Sequence, residues 1–189
     1  MKFISGRALA RWRVPLGFAV AVLYVLRARP TWPALGAGLF IAALGLLMRA
    51  LASGHIQKNQ SLAVSGPYRY SRNPLYLGSL GLALGFVIAA RDWLMALLAL
   101  AMLVGVYLPV IRTEEAYLSQ RFGAAFAQYC RHTPRLFPRL LRRPPPDDPS
   151  SGFSWALYLR HREYNAFIGF ALLALLLAAK IYFRIGTVA

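Results

Sequence analysis

Three long uncharged stretches constrain this chain more than any other feature. Pro30–Met48 runs for 19 residues, Asn73–Ala90 for 18 and Trp93–Ile111 for 19 without a Lys, Arg, Asp or Glu. Crossing a hydrocarbon core takes about 20 helical residues, and only helices or closed barrels satisfy their backbone there. Two shorter stretches, Val14–Leu26 (13 residues) and Tyr164–Ala179 (16 residues), lengthen if Arg11, Arg13 or Lys180 snorkel to the interface. The reading is an all-α, polytopic membrane protein with about five transmembrane helices. A mean hydropathy of +0.48 excludes an ordinary soluble globular domain.

The net charge of +16 would point to nucleic acid in a soluble protein. Here its placement follows the spans instead. The N-terminus carries four Lys or Arg, the 49–72 loop four and the 112–162 region nine, giving 17; the alternate segments carry two, one and two, giving 5. The positive-inside rule puts the 17 in the cytoplasm, with the N-terminus inside and the C-terminus outside. That predicts a multi-pass protein of the inner membrane if the cell is prokaryotic, with membrane lipids rather than nucleic acid as its anionic partners. The basic, then apolar, N-terminus lacks an Ala-x-Ala site after Leu26, so an uncleaved first helix is expected. Cys130 is the single cysteine, so no intrachain disulfide forms.

Between the second and third spans lies SGPYRYSRNPLYLG, residues 65–78. Gly66-Pro67 signals a turn. Arg69 and Arg72 bring cations, and Tyr68, Tyr70 and Tyr76 bring rings with polar tips. Pro74 is suited to the first turn of a helix, with Asn73 as its expected N-cap. A helix start ringed by Arg and Tyr suits an anionic or polar ligand; an interfacial loop of snorkelling Arg and belt Tyr is the plainer alternative. Gly36, Gly38 and Gly45 in the second span, and Gly78, Gly81 and Gly85 in the third, allow close helix approach. Arg91-Asp92 is so short a connection that the third and fourth spans form a hairpin.

Beyond the fourth span, Leu118, Phe122, Ala125, Phe126 and Tyr129 recur at helical spacing, predicting a separate amphipathic helix on the cytoplasmic face. Gly123 weakens it, Pro109 bends the preceding span, and Pro134 and Pro138 end it. The prolines at 144–146 and 149 predict an extended linker. The whole reads as one unit, with a first helix pair in 1–57, a core in 58–143, a linker in 144–163 and a last span in 164–184.

No P-loop, GxGxxG or nucleophile signature occurs, and His55, His132 and His161 are not at metal-ligand spacing, so no metal is expected. Only six acids occur in the chain, and two of them, Glu114-Glu115, are adjacent just past the fourth span. The hairpin brings them to the same membrane face as Asn73-Pro74. Charge balancing of nearby arginines is one role for them; holding a cationic or hydroxyl-bearing ligand is the other.

GPYRYSRNPLYLG, the helical hairpin, Glu114-Glu115, RFGAAFAQYC and TPRLFP, in that order across roughly residues 58–140, resemble the isoprenylcysteine carboxyl methyltransferase and phospholipid methyltransferase superfamily. The resemblance implies an integral-membrane methyltransferase that uses S-adenosylmethionine. The family's Arg-His-Pro matches Arg72-Asn73-Pro74, and its paired glutamates match Glu114-Glu115. Asn at 73 keeps hydrogen-bonding capacity but does not titrate near neutrality. Arg72, Asn73 and Glu115 are the expected catalytic residues. The cofactor's sulfonium suits carboxylates and ring faces, and its carboxylate suits Arg69, Arg72 or the helix start at Pro74. The turn at Gly66, Pro67, Tyr68 and Tyr70 would shape the loop around it, and Glu114 would meet the ribose. Tyr76, Leu77, Phe122, Phe126 and Tyr129 would supply an apolar slot for adenine.

The implied acceptor is a lipophilic small molecule or lipid-modified substrate. An isoprenylcysteine-type carboxylate is favoured because it needs no base, and a phospholipid amine or small thiol is the alternative. Two other readings stand beside it: a sterol-type membrane reductase, whose NADPH phosphate would call on Arg139, Arg142 and Arg143, and a non-catalytic lipid-binding protein.

Overall fold

The computed structural model describes residues 20–56, 62–138 and 152–185. Every regular element among them is helical. Helix α1 is described over 20–27. It is followed by α2 (Trp32–Ser53), a single 3-10 turn (Gly66–Arg69), α3 (Pro74–Ala90), α4 (Trp93–Met102), α5 (Leu108–His132), the short α6 (Trp155–Arg160) and α7 (Tyr164–Tyr182).

Three helical stretches are long and apolar enough to cross a membrane: Trp32–Ser53, Trp93–His132 and Tyr164–Tyr182. Helix α3 is apolar but 17 residues long. Residues 14–19 of the first of the five expected spans lie outside the described residues. The Arg139, Arg142 and Arg143 cluster and the prolines at 144–146 and 149 lie outside them too.

Helices α2 and α3 pack backbone to backbone. A Cβ built on Gly45 would stand 2.5 Å from the Leu82 nitrogen and 2.6 Å from the Gly78 oxygen, and Gly38 faces Gly85 and Ala89 as tightly. Ala42 fills the same seam. Gly36 has open space around it, so of the expected close-approach glycines in α2 this one is not used. The apolar core joins Leu35 and Ala42 of α2, Phe86 and Ala89 of α3, Met95 of α4 and Leu177 of α7.

Both ends of the bundle are tied. At one end Arg91 takes a left-handed conformation (φ 51°, ψ 36°), and the Asp92 carboxylate accepts from the Leu94 and Met95 N–H groups to start α4. The Arg29 N–H donates to the Ala90 carbonyl there. Lys180, from the end of α7, donates to the Val25 and Ala28 carbonyls at 2.7 and 2.6 Å. At the other end the Ser154 N–H donates to Gly54, and Arg49 of α2 pairs with Glu163 just before α7. The ends of α2 and α5, the 62–73 loop and the start of α7 therefore gather at one face.

Two expectations change. The amphipathic segment is not a separate helix, since α4 continues into α5 through π-helical residues Leu103–Tyr107. Pro109 has no N–H for the Gly105 carbonyl, and the wider turn before it absorbs that loss. The break in the segment comes instead at Gly123, with φ 49° and ψ −119°. The expected linker also contains a helix, α6, capped by the Ser154 side chain on the Leu157 N–H.

Candidate functional site

Helix α5 presents two stripes to its surroundings. Ile111, Glu115, Phe126 and Tyr129 are buried in contact with the rest of the fold. Glu114, Tyr117, Leu118, Arg121 and Phe122 line an open cavity of about 430 Å³. Neighbouring residues on a helix point about 100° apart, so the adjacent glutamates serve different surroundings.

Glu115 is an ionic hub. Its carboxylate accepts from Arg135 Nε at 2.8 Å, pairs with Arg72 at 3.3 Å and meets the Asn73 amide at 3.5 Å. It is not on the cavity wall. With it, the end of α5 clamps the loop. The Tyr129 hydroxyl donates to the Tyr68 carbonyl at 2.7 Å, and the Arg72 N–H donates to the Pro134 carbonyl at 2.9 Å. Arg72 also contacts the Cys130 sulfur.

Asn73 occupies the N-cap position of α3, but its side chain does not cap the helix. The amide donates to the Arg135 carbonyl at 2.9 Å instead. The expected capping role is thus corrected: the clamp from α5 competes for the amide and wins. Pro74 does open α3 as expected.

Of the expected cofactor contacts, Tyr68, Arg72, Asn73, Pro74, Tyr76, Glu114, Phe122 and Tyr129 line the cavity. Glu114 accepts from the Tyr76 hydroxyl at 2.9 Å. Leu77 lies instead on a different, apolar groove, and Phe126 is buried against Tyr129. Gly66 and Pro67 form the supporting turn. Gly66 needs its positive φ of 54°, and the His55 ring fills the space a Cβ would take. Arg69 lies over the exposed Tyr70 ring at 5.9 Å, away from the cavity wall.

Sequence reasoning missed Arg49 and Glu163. Their carboxylate–guanidinium pair, at 2.8 Å, lines the same cavity, and Arg49 also donates to Ser79. The signal was present, since Arg49 is the charge that closes the second apolar run and Glu163 is one of only six acids.

Two buried polar atoms are left over. The Tyr68 hydroxyl and Arg72 Nε have no hydrogen-bond partner among the described residues, although both residues line the cavity. Such orphans are costly unless something else satisfies them. Burial, followed by the charges of Tyr129, Glu114 and Glu163, pushes the Tyr68 phenol well above its ordinary pKa. It therefore stays protonated and can donate. The chemistry of the wall is mixed, with arginines for an anionic group, Glu114 for hydroxyls or a cation, and tyrosine rings between them. That donor set fits S-adenosylmethionine, which carries a carboxylate, hydroxyls, a sulfonium cation and an aromatic base.

A family profile described as phospholipid methyltransferase matches residues 35–125. A cobalt-zinc-cadmium resistance protein, CzcN, of Cupriavidus metallidurans is 40% identical over 151 residues, which cover 73% of this chain and 67% of that protein. A nickel-cobalt-cadmium resistance protein, NccN, of Alcaligenes xylosoxydans xylosoxydans is 33% identical over 151 residues, covering 73% and 68%. No solved structure matches.

Proposed function

Because the chain belongs to the phospholipid methyltransferase family of integral-membrane methyltransferases, we propose that it transfers a methyl group from S-adenosylmethionine to a lipophilic acceptor. The transfer would take place in the cavity between α5, the start of α3 and the 62–73 loop. The observation that carries this reading is the mixed wall of that cavity, where Tyr68 and Arg72, each with one buried polar atom lacking a partner among the described residues, stand with Glu114 and several tyrosines. The cofactor, when bound, supplies a methyl group already activated by its sulfonium. The chain has to hold the donor, align the acceptor and keep water out.

In this reading Arg72, held by Glu115, sets its charge beside an anionic group. Tyr68 donates a hydrogen bond from its protonated phenol. Glu114, oriented by Tyr76, receives hydroxyls. Arg49 and Glu163 close the wall opposite. Among the described residues no histidine lines the cavity. A carboxylate acceptor needs no base and is favoured over a phospholipid ammonium, which must first lose a proton. The charge asymmetry along the chain supports a cytoplasmic position for this face.

The relatives' names tie them to metal resistance. Among the described residues no three His, Cys, Asp or Glu side chains gather into a metal site, so nothing there favours a reading in which the chain itself holds the metal.

Calorimetric titration of the purified protein in detergent tests the proposal. S-adenosylmethionine should bind and NADPH should not, and Tyr68→Phe and Arg72→Lys should each weaken binding. Binding of NADPH instead would turn the reading to a reductase; binding of neither would leave a lipid-binding protein.

A further inference from the structure

An apolar groove of about 520 Å³ runs between α2, α3 and α4, with Leu44, Leu84 and Leu100 on its walls. On α3 its lining reaches from Leu77 to Val87, about 15 Å of helix. None of its lining residues lines the polar cavity. At Gly45, Gly78 and Gly81 the two helices meet backbone to backbone, so no passage leads through that seam. Phe137, 68% exposed, joins the lining from the chain beyond α5. It belongs to the 133–138 strap that clamps the start of α3. There the Pro134 carbonyl accepts from the Arg72 N–H, and the Arg135 carbonyl accepts from the Asn73 amide. The Arg135 side chain, 47% exposed, gives Nε and Nη2 to Glu115, and its Nη1 has no partner among the described residues. Glu115 also faces Arg72, so one carboxylate meets two guanidiniums. Arg131, exposed on the last turn of α5, adds another cation. An excess of positive charge therefore stands where the strap meets the apolar groove.

We infer that this groove holds an acyl chain of an anionic phospholipid whose phosphate rests on Arg135, and that this lipid is a fixed ligand of the fold, not the methyl acceptor. The groove is walled by membrane-spanning helices, so the chain that fills it comes from the bilayer. The head group is selected by charge. Basic pockets beside membrane helices take anionic head groups, whereas the ammonium of phosphatidylcholine is repelled by the same arginines. The separation of groove from cavity keeps the lipid away from the reacting groups. Its effect runs through the strap instead. A chain seated against Phe137, with a phosphate on Arg135, holds down the segment whose carbonyls fix Arg72 and Asn73. Tighter S-adenosylmethionine binding should follow. That consequence rests on the reading of the cavity as the cofactor site; the lipid site itself does not.

Native mass spectrometry tests this on protein released from nanodiscs of equal phosphatidylcholine and phosphatidylglycerol. Retained phosphatidylglycerol should exceed phosphatidylcholine by about fivefold, the factor expected for one basic side chain near an anionic head group. Leu84→Trp, an exposed position on the groove wall, should abolish the enrichment; Leu100→Trp is the second variant if the first does not fold. Arg135→Gln should abolish it and Arg135→Lys should keep it. If Arg135→Gln does not fold, Arg131→Gln, outside the hub, should still lower it. Equal retention of the two lipids would overturn the assignment, as would an enrichment that survives the groove variant or the arginine variant. A dimer that forms as lipid is stripped and that Leu84→Trp abolishes would also overturn it, giving the groove to a second copy. Calorimetry with S-adenosylmethionine in nanodiscs of phosphatidylcholine alone and of the mixture reads the coupling. Phosphatidylglycerol should tighten binding in the unsubstituted protein and not in Leu84→Trp, which sits in the same surface potential. Lipid enrichment without any cofactor binding sinks the methyltransferase reading alone, whereas cofactor binding without enrichment sinks the lipid site alone.

Discussion

Between α2 and α3, contact is made by leaving side chains out. Gly38, Gly45, Gly78 and Gly85 bring two backbones to a distance at which even a methyl group has no room. Between α5 and the 62–73 loop, contact is made by long charged side chains. Glu115 gathers Arg72, Arg135 and Asn73 around one carboxylate. The first joint sits where the surroundings are lipid, and close van der Waals contact is the available attraction. The second sits at the polar end, beside the cavity, where a fixed orientation of Arg72 matters. The glycine seam holds position by shape, and the glutamate hub holds it by a set of directed bonds.

Breaking the seam should have the largest effect. Gly45→Leu drives a side chain into the Leu82 and Gly78 backbone, which cannot move aside as a flexible side chain can. Overpacking typically costs about 1–3 kcal/mol, occasionally more, and here it should prevent a monodisperse protein from being recovered in detergent. Gly36→Leu, in open space on the same helix, should leave the melting temperature within a few degrees of the parent. Equal damage from both would mean that the seam is not the joint described.

Breaking the hub comes next. Glu115→Gln leaves Arg72 and Arg135 without their counter-charge, and removing one partner of a buried pair costs about 3–5 kcal/mol. Glu114→Gln removes the charge of an exposed carboxylate while its amide oxygen still accepts from Tyr76, and should leave thermal stability nearly unchanged while weakening S-adenosylmethionine binding. Thermal unfolding and calorimetry on the two variants should therefore give opposite profiles. If Glu114→Gln unfolds the protein and Glu115→Gln only loses ligand, the two roles are reversed.

How much of this was legible depends on helix phase. Gly38 and Gly45 are seven residues apart and share a face, whereas Gly36 lies about 200° around the helix from Gly38. Composition marked all three glycines, and only the neighbour's position separates them. The two glutamates pose the same problem. Leu118, Phe122, Phe126 and Tyr129 read as one face, and carrying that spacing back reaches Glu115 and Ile111, although the break at Gly123 leaves Leu118 and Phe122 on the cavity and buries Phe126 and Tyr129. The hub thus had a signal, but a charged residue on an apolar stripe reads as an exception until its arginines are seen. Arg135 is beyond the helix, and Glu163 is 114 residues from Arg49. No local pattern pairs residues at such separations. The helical class, the hairpin at Arg91-Asp92 and the convergence of the two motif loops were legible because each follows from run length or connection length alone.

Asn73 sharpens the comparison at a smaller scale, because it is the uncharged member of the hub. Asn73→Ala removes a donor to the Arg135 carbonyl, at a cost of about 1–2 kcal/mol. Asn73→Asp should be worse, since it sets a carboxylate against Glu115 and that carbonyl with no proton to offer either. Asn73→His keeps an N–H donor and should be tolerated, as the His of the related motif suggests. Once an acceptor is known, its methyl-transfer profile between about pH 5 and 8, where a histidine titrates, should match that of the parent. A new inflection with a gain in rate would show that position 73 reaches the reacting groups.

The smallest effect is expected at the opposite end of the bundle, where Asp92 makes a third kind of joint. It pairs with the half-exposed Arg27 and caps α4 through the Leu94 and Met95 N–H groups. Desolvation pushes its carboxyl up, but the Arg27 hydrogen bond and charge, with the two backbone bonds, outweigh this and hold it below its ordinary value. A carboxyl depressed in the folded state adds stability above its unfolded pKa, and that stability is lost as pH falls through the folded value. The loss should therefore begin only below about pH 4, the ordinary Asp range. Asp92→Asn keeps a capping oxygen and gives up the ion pair. It should lower stability near neutrality by less than about 1 kcal/mol, because one partner is solvated and surface pairs are weak. It should also flatten the acid limb of melting temperature against pH. A loss as large as that of Glu115→Gln would mean that a single ion pair can anchor this bundle as firmly as a hub of three partners, and the contrast between the two kinds of charged joint would fail.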